Sequence, residues 1–282
     1  MLGLTGAWRD GVPLDPLTAT LTLLGALLAH AGVNVLNDYY DALNGTDALN
    51  VDRVAPYTGG SRFIQDGLLS VRATAMYGTT LLGATALIGL WLLVHSGTGL
   101  LVIGLAGLLV GWGYSAPPLR LNSRGFGEVS VWFGFALLLA GADFVQRGHL
   151  ARMPWVLAGS YALLLVNLLF INEFPDRRAD ALAGKRHWVV RLGARRARGL
   201  YAVIAGAAAA WLVTAVSRGL LPPLALLALA STIPTWVAAR LLWRDAETPQ
   251  RLAPAIRATI GAALLHGTLL TLALLLAPAA PG

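Results

Sequence analysis

Long apolar stretches of about 20 residues alternate along this chain with short polar loops. That length suits an α-helix crossing a hydrocarbon layer of about 30 Å, and here helices rather than barrel strands do the crossing. The stretches fall at about 16-36, 72-95, 98-114, 126-146, 153-174, 198-217, 219-243 and 256-277, so the pattern predicts eight transmembrane helices. Residues 1 to 11 are too short to span and lack the basic start and long apolar middle of a signal peptide. They read as the tail of a helix that begins upstream. The expected fold is all-α, one polytopic membrane helix bundle over residues 1-282.

Composition removes the water-soluble alternatives. The 282 residues are 56% hydrophobic and 12% charged, against about 25% charged in a typical soluble domain. Zero cysteines exclude disulfides, thiolate metal sites and a cysteine nucleophile, so any metal must take oxygen or imidazole ligands. The net charge of +7 does not indicate nucleic acid, because every basic residue but Lys185 is arginine and the arginines sit in short loops between apolar spans. Of the 21, all but Arg9, Arg147, Arg152 and Arg218 fall in loops on one side of the bundle. Basic loops stay cytoplasmic, which places that side in the cytoplasm and both termini opposite. The carboxylates crowd onto the same side, an asymmetry that the basic-loop rule does not explain.

Two polar clusters supply the cause. Asn37-Asp38-Tyr39-Tyr40-Asp41-Ala42-Leu43-Asn44-Gly45-Thr46-Asp47 continues the first apolar helix. Asn37 and Asp41 share a face one turn apart, Asp38 stands three residues before Asp41, and Gly45 lets the chain turn so that Asp47 returns toward them. Asn172-Glu173-Phe174-Pro175-Asp176-Arg177-Arg178-Ala179-Asp180 repeats the i,i+4 spacing at the end of the fifth span, on the same side. Pro175 is expected to interrupt the helix there. Carboxylates held together at a membrane edge repel unless a cation lies between them, and a hard divalent ion with oxygen ligands is the economical answer. Mg²⁺ is characteristically shared between a few carboxylates and substrate phosphates. Phosphate partners are available in Thr58-Gly59-Gly60-Ser61-Arg62, in the Arg120 that ends Tyr114-Ser115-Ala116-Pro117-Pro118-Leu119-Arg120, and in Lys185, the chain's only lysine.

With these motifs in hand, the chain resembles the UbiA superfamily of intramembrane prenyltransferases, and most of all its MenA branch. The likeness runs over about residues 16 to 277 and rests on NDYYDALNGTD at 37 to 47, TGGSRFIQDGLLS at 58 to 70, YSAPPLRL at 114 to 121, RGFGE at 124 to 128 and NEFPDRRADALAGKRHWVVRLG at 172 to 193. The resemblance implies that Asn37, Asp41, Asp176 and Asp180 hold Mg²⁺ on a diphosphate, with Asp38, Asp47 and Asn172 in support and Asp47 among the metal ligands. It further implies that Arg62, Arg120 and Lys185 neutralise phosphate oxygens and that Tyr114 lines the site near the reacting carbon. The implied activity moves a polyprenyl group from its allylic diphosphate to an aromatic acceptor such as 1,4-dihydroxy-2-naphthoate, in the lipid bilayer of a prokaryotic plasma membrane, with the active site facing the cytoplasm.

The chain departs from the family pattern in places. Nine helices are usual, and the first is reduced here to residues 1 to 11. Asn122 stands where a lysine is common, His187-Trp188 where Thr-Leu is common, and Asp143 in a stretch that is usually aromatic. These bear on the acceptor more than on the diphosphate. Hydroxybenzoate, a glycerol phosphate lipid, exchange on a porphyrin alcohol and cyclisation remain alternative fates for the same cation. A secondary transporter is the alternative from another class, and it would place its ionisable residues near the bilayer midplane. Gly107-x-x-x-Gly111 reads as helix packing, the single histidines 30, 95, 149 and 266 as structural, Arg195 to Arg198 as a membrane anchor and Asp143 as an interfacial polar residue.

Overall fold

A computed structural model describes residues 1–277. The helices are α1 (Leu2–Arg9), α2 (Pro16–Leu43), α3 (Thr46–Leu49), α4 (Val71–Ser96), α5 (Gly99–Ser115), α6 (Leu121–Arg124), α7 (Gly127–Arg147), α8 (Met153–Leu182), α9 (Trp188–Leu192), α10 (Ala194–Ser217), α11 (Thr232–Asp245) and α12 (Ala253–Leu276), and no strand occurs among the described residues. Their starts follow from local chemistry. The Asp15 carboxylate accepts from Thr18 N at 2.7 Å with Pro16 in the first turn of α2, and Ser70 Oγ accepts from Ala73 N at 3.1 Å at the head of α4. Each satisfies a donor that the first turn leaves over.

Seven helical segments are long and apolar enough to span a bilayer, and the eighth expected span, α5, has 17 residues, a rise of about 26 Å. The seventh span begins as a 3₁₀ helix at Pro223–Ser231 before α11. At 28 and 30 residues, α2 and α8 are about 42 and 45 Å long, more than the hydrocarbon layer needs. Their last turns therefore project toward water and carry both Asn/Asp clusters with them. Pro175 does not interrupt α8, contrary to expectation: the helix runs on to Leu182 with proline inside it. Proline removes only its own bond to the Ile171 carbonyl, and Phe170, Ile171 and Phe174 are packed in the core around that point.

Burial ranks the helices. In the most apolar windows of α2 and α4 only 11% of residues are buried, against 67% in α8, so α8 is the central post while α2 and α4 meet lipid. Small residues allow the close approaches: Gly159 of α8 admits the Trp211 indole, whose Nε1 donates to Val156 O at 2.9 Å, and Gly111 of α5 faces Val33 of α2. The N-terminal α1 is buried from Leu2 to Ala7, and Gly3 lies against the Leu139 carbonyl of α7. At that end Asp143 is 1% exposed, a core residue rather than an interfacial one. Arg147 grips it with Nε at 2.8 Å and Nη2 at 2.9 Å and reaches Asp10 of the following turn at 2.8 Å. His266 is likewise a satisfied core residue between Ser160 and Ser231.

Candidate active site

The C-terminal ends of α2 and α8 meet around a cavity of about 110 Å³, walled by Asn37, Asp41, Asp47, Asn172, Asp176 and Asp180 and closed by Tyr114, Leu169 and Lys185. Asn37 and Asp41 on α2, and Asn172, Asp176 and Asp180 on α8, stand at i,i+4 steps, so each helix stacks its polar groups on one face. Both ends also carry the negative pole of a helix dipole, which deepens the preference for a cation between them. Gly45, at φ +79, turns the chain out of α2 and into α3. That reversal buries Asp47 to 2% exposure beside the α2 carboxylates, and burial together with Asp41 and Asp38 pushes its carboxyl up to about 7.

Between the two helix ends stands one ammonium group. Lys185 Nζ lies 2.9 Å from Asp41 Oδ1, donates to Asp41 Oδ2 at 2.9 Å and lies 3.0 Å from Asp180 Oδ1. Burial disfavours its charge, but Asp41 and Asp180 outweigh burial and raise it above the ordinary lysine value. The other Asp180 oxygen meets His187 Nε2 at 3.1 Å, and His187 Nδ1 stands 2.9 Å from Glu173 Oε2, a charge contact without hydrogen-bond alignment. Asp41, Lys185, Asp180, His187 and Glu173 thus form a continuous chain of alternating charge. Asn50 donates to Asp176 Oδ1 at 2.6 Å, and Asn37 donates to Ser115 Oγ at 2.9 Å, tying α2 to the end of α5.

Three of the residues expected at the site stand outside the cavity wall. Asp38 accepts from Ser61 N at 3.1 Å and so holds the 58–61 turn in place. Arg62 donates to the Asp47 carbonyl at 2.8 Å, bracing that loop, with its Nε 3.9 Å from Asp66. Arg120 is exposed. Gly59 and Gly60 do line the cavity, at φ +76 and +67. A side chain at Gly60 would collide with Asp38 and Asp47, so this turn needs glycine both for its backbone and for the space. Six lining residues were not expected from the sequence: Thr46, Asn50, Asn122, Leu169, Glu173 and His187. The departure from Thr-Leu marked His187 as unusual, and Glu173 lies inside the second cluster. Nothing about Asn50 distinguishes it from other loop asparagines until the fold brings it to Asp176.

The oxygen atoms fit a hard divalent cation. Asn50 Oδ1 and Asn172 Oδ1 are buried at the cavity without a hydrogen-bond donor, and Asp180 Oδ1 has only the ion pair to Lys185 at 3.0 Å. Among the described residues, however, no three acidic or imidazole side chains converge closely enough to hold an ion by themselves. That combination suits an ion that completes its coordination with oxygens of a ligand, as Mg²⁺ does with phosphates.

The buried imidazole gives a pH signature. Burial pulls His187 down, but Asp180 and Glu173 outweigh burial and push it up to about 9 from 6.5. A folded value above the unfolded one means that this stabilisation is complete below about pH 6.5 and is lost as pH rises through about 9. In chelator-treated protein, the melting-temperature gap between wild type and His187→Gln is therefore expected to narrow between about pH 6 and about pH 10. A constant or widening gap contradicts the buried imidazolium.

Comparison with known proteins agrees with this architecture. Over 187 residues, 65% of the chain, it is 34% identical to the 1,4-dihydroxy-2-naphthoate octaprenyltransferase of Mycobacterium tuberculosis. The chain spans 61% of that relative's length. A UbiA homolog from Aeropyrum pernix K1, solved in its apo form, superposes with a TM-score of 0.71 over 96% of this chain and 94% of that one, at 16% identity. A UbiA homolog from Archaeoglobus fulgidus bound to GPP and Mg²⁺ superposes with a TM-score of 0.58 over 95% and 94%, at 15% identity. Residues 1–260 match the model of the UbiA prenyltransferase family. The chain belongs to the UbiA prenyltransferase family, and it does so as an integral membrane protein.

Proposed function

We propose that this protein transfers a polyprenyl group from an allylic diphosphate to 1,4-dihydroxy-2-naphthoate, with Mg²⁺ held by Asn37, Asp41, Asp47, Asp176 and Asp180. The observation that carries this reading is the meeting of the two Asn/Asp helix ends, with Lys185 between them, at the membrane edge. An isoprenoid tail belongs among apolar helices while its diphosphate belongs near water, and this site sits where the two surroundings join. The relative from Mycobacterium tuberculosis supports the naphthoate acceptor, and the homolog from Archaeoglobus fulgidus supports the metal.

In this reading, heterolysis of the allylic C–O bond sends both electrons to the diphosphate oxygen and leaves an allyl cation. Mg²⁺, when bound, supplies Lewis-acid stabilisation of the negative charge that grows on the leaving group. Lys185 adds a buried ammonium whose effect rises as that charge develops. With Arg62 engaged by the Asp47 carbonyl and Arg120 exposed, Lys185 and the His187 imidazole are the basic side chains at the cavity. Tyr114 and Leu169 are the aromatic and aliphatic part of the cavity wall; the phenol ring shields the cation through its π face, and these two side chains keep water from it on their side. The electron-rich ring carbon of the acceptor then forms the new C–C bond. Loss of CO₂ from the naphthoate, or of a proton from another acceptor, restores aromaticity.

The transporter alternative would place its ionisable groups near the midplane, whereas these lie in the last turns of α2 and α8. Purified protein given labelled polyprenyl diphosphate, Mg²⁺ and a panel of acceptors is expected to prenylate 1,4-dihydroxy-2-naphthoate at least about tenfold faster than hydroxybenzoate or glycerol phosphate, a difference of about 1.4 kcal/mol in transition-state stabilisation. Equal or reversed preference overturns the acceptor assignment.

The arginine-rich loops support a site on the cytoplasmic side of the membrane, in this reading a prokaryotic plasma membrane. Because the chain contains no cysteine, single cysteines report this directly. At Val51 and Leu182, 88% and 73% exposed, they are expected to react with an impermeant maleimide only from the cytoplasmic face, and one at Ser217 only from the other. Labelling of positions 51 and 182 from opposite faces contradicts a shared site.

A further inference from the structure

The ammonium of Lys185 stands where a cation between the two acidic helix ends has to stand. It touches both oxygens of Asp41 and one of Asp180, with the three side chains 9%, 12% and 8% exposed. Its place is fixed from both sides. Gly184, at φ +80, reverses the chain so that Lys185 N donates to Asp180 O at 2.8 Å, and Arg186 N donates to Ser123 O at 2.7 Å. The remaining oxygen of Asp180 is taken by His187. A divalent ion seeking Asp41 and Asp180 therefore meets carboxylates that are already neutralised by a tethered charge.

We infer that Lys185 is the resident counter-ion of this site, so that metal and diphosphate enter as a unit: the diphosphate gives the displaced ammonium new oxygen partners while the metal takes over Asp41 and Asp180. This rests on the proposed function and adds an order of assembly to it. Departure of the ammonium without an anion would leave a charged group in a poorly hydrated cavity, a costly state. Metal alone must bear that cost, and metal with diphosphate avoids it. The coupling is reciprocal: diphosphate tightens metal binding by the factor by which metal tightens diphosphate binding. Replacing Lys185 with a neutral residue removes the competitor, so metal should bind more tightly on its own even as catalysis is lost. A lysine whose only role was to hold the loop would not produce that gain.

The test is equilibrium binding of Mn²⁺ to the full chain in lipid nanodiscs, at matched free Mn²⁺, with and without inorganic pyrophosphate. For wild type, pyrophosphate is expected to tighten Mn²⁺ binding at least about tenfold. Lys185→Met and Lys185→Gln, each checked for wild-type elution and melting, are expected to bind Mn²⁺ alone at least about tenfold more tightly than wild type and to gain less than about threefold from pyrophosphate. Lys185→Arg, which keeps the charge, should behave as wild type. Pyrophosphate-enhanced binding in wild type together with unchanged or weaker binding in both neutral variants overturns the counter-ion and leaves the proposed function standing. Absence of Mn²⁺ binding in every protein under both conditions overturns the two together.

Discussion

Asp41→Ala and Asp176→Ala are each expected to lower prenyl transfer by at least about 10³-fold, and the double variant is expected to lose little more than the worse single. Each substitution removes a carboxylate from a different helix, Asp41 from α2 and Asp176 from α8, yet both face one cavity. When two halves grip a single diphosphate, losing either half already disables the other, so the losses are far from additive. Arg196→Ala provides the contrast. That side chain is exposed on α10, away from the cavity, and its removal should change turnover little. Independent, multiplicative losses for the two aspartates would mean that they serve separate sites.

Removal of divalent cations is expected to have an effect as large. The cavity is lined mainly by carboxylate and amide side chains, with Lys185 and His187 as its cationic groups, and these balance only part of the charge on a leaving diphosphate. Activity should fall to background in EDTA and return on adding Mg²⁺, with folding unchanged as judged by melting. Transfer that persists undiminished under chelation would show that the protein's own cations suffice.

The span pattern was open to reading because a bilayer imposes one length and one composition on every crossing helix. It was less informative at α8, where a window of apolar residues ends near Phe174 but the helix does not. Its last turns are held by packing in the core rather than by lipid, and they keep Asp176 and Asp180 on the same face as Asn172. The i,i+4 repeats at 37/41 and 172/176/180 made both halves of the site visible, since helical spacing is local. What local pattern could not supply was the partner of each polar group. Arg62 and Arg120 looked equivalent to Lys185 as phosphate ligands, yet only Lys185 is drawn into the cavity, by the Gly184 turn. Asp38 lies one residue along the helix from Asn37 and so points to a different side, where it caps the 58–61 turn. Asn50 entered through a contact between segments far apart in the chain, with Asp176, and His187 through the short loop after α8 that folds its imidazole back onto Asp180.

The central claim is that the ends of α2 and α8 bind one diphosphate between them through metal. The most direct measurement is an experimental structure of the protein with Mg²⁺ and a non-reactive thiolo analogue of an allylic diphosphate. The account predicts Mg²⁺ within about 2.0–2.1 Å of oxygens from both Asp41 and Asp176, the diphosphate bridging the two helix ends, and the Lys185 ammonium turned from Asp180 onto a phosphate oxygen. A diphosphate bound elsewhere, or one whose metal is held by a single helix, contradicts it.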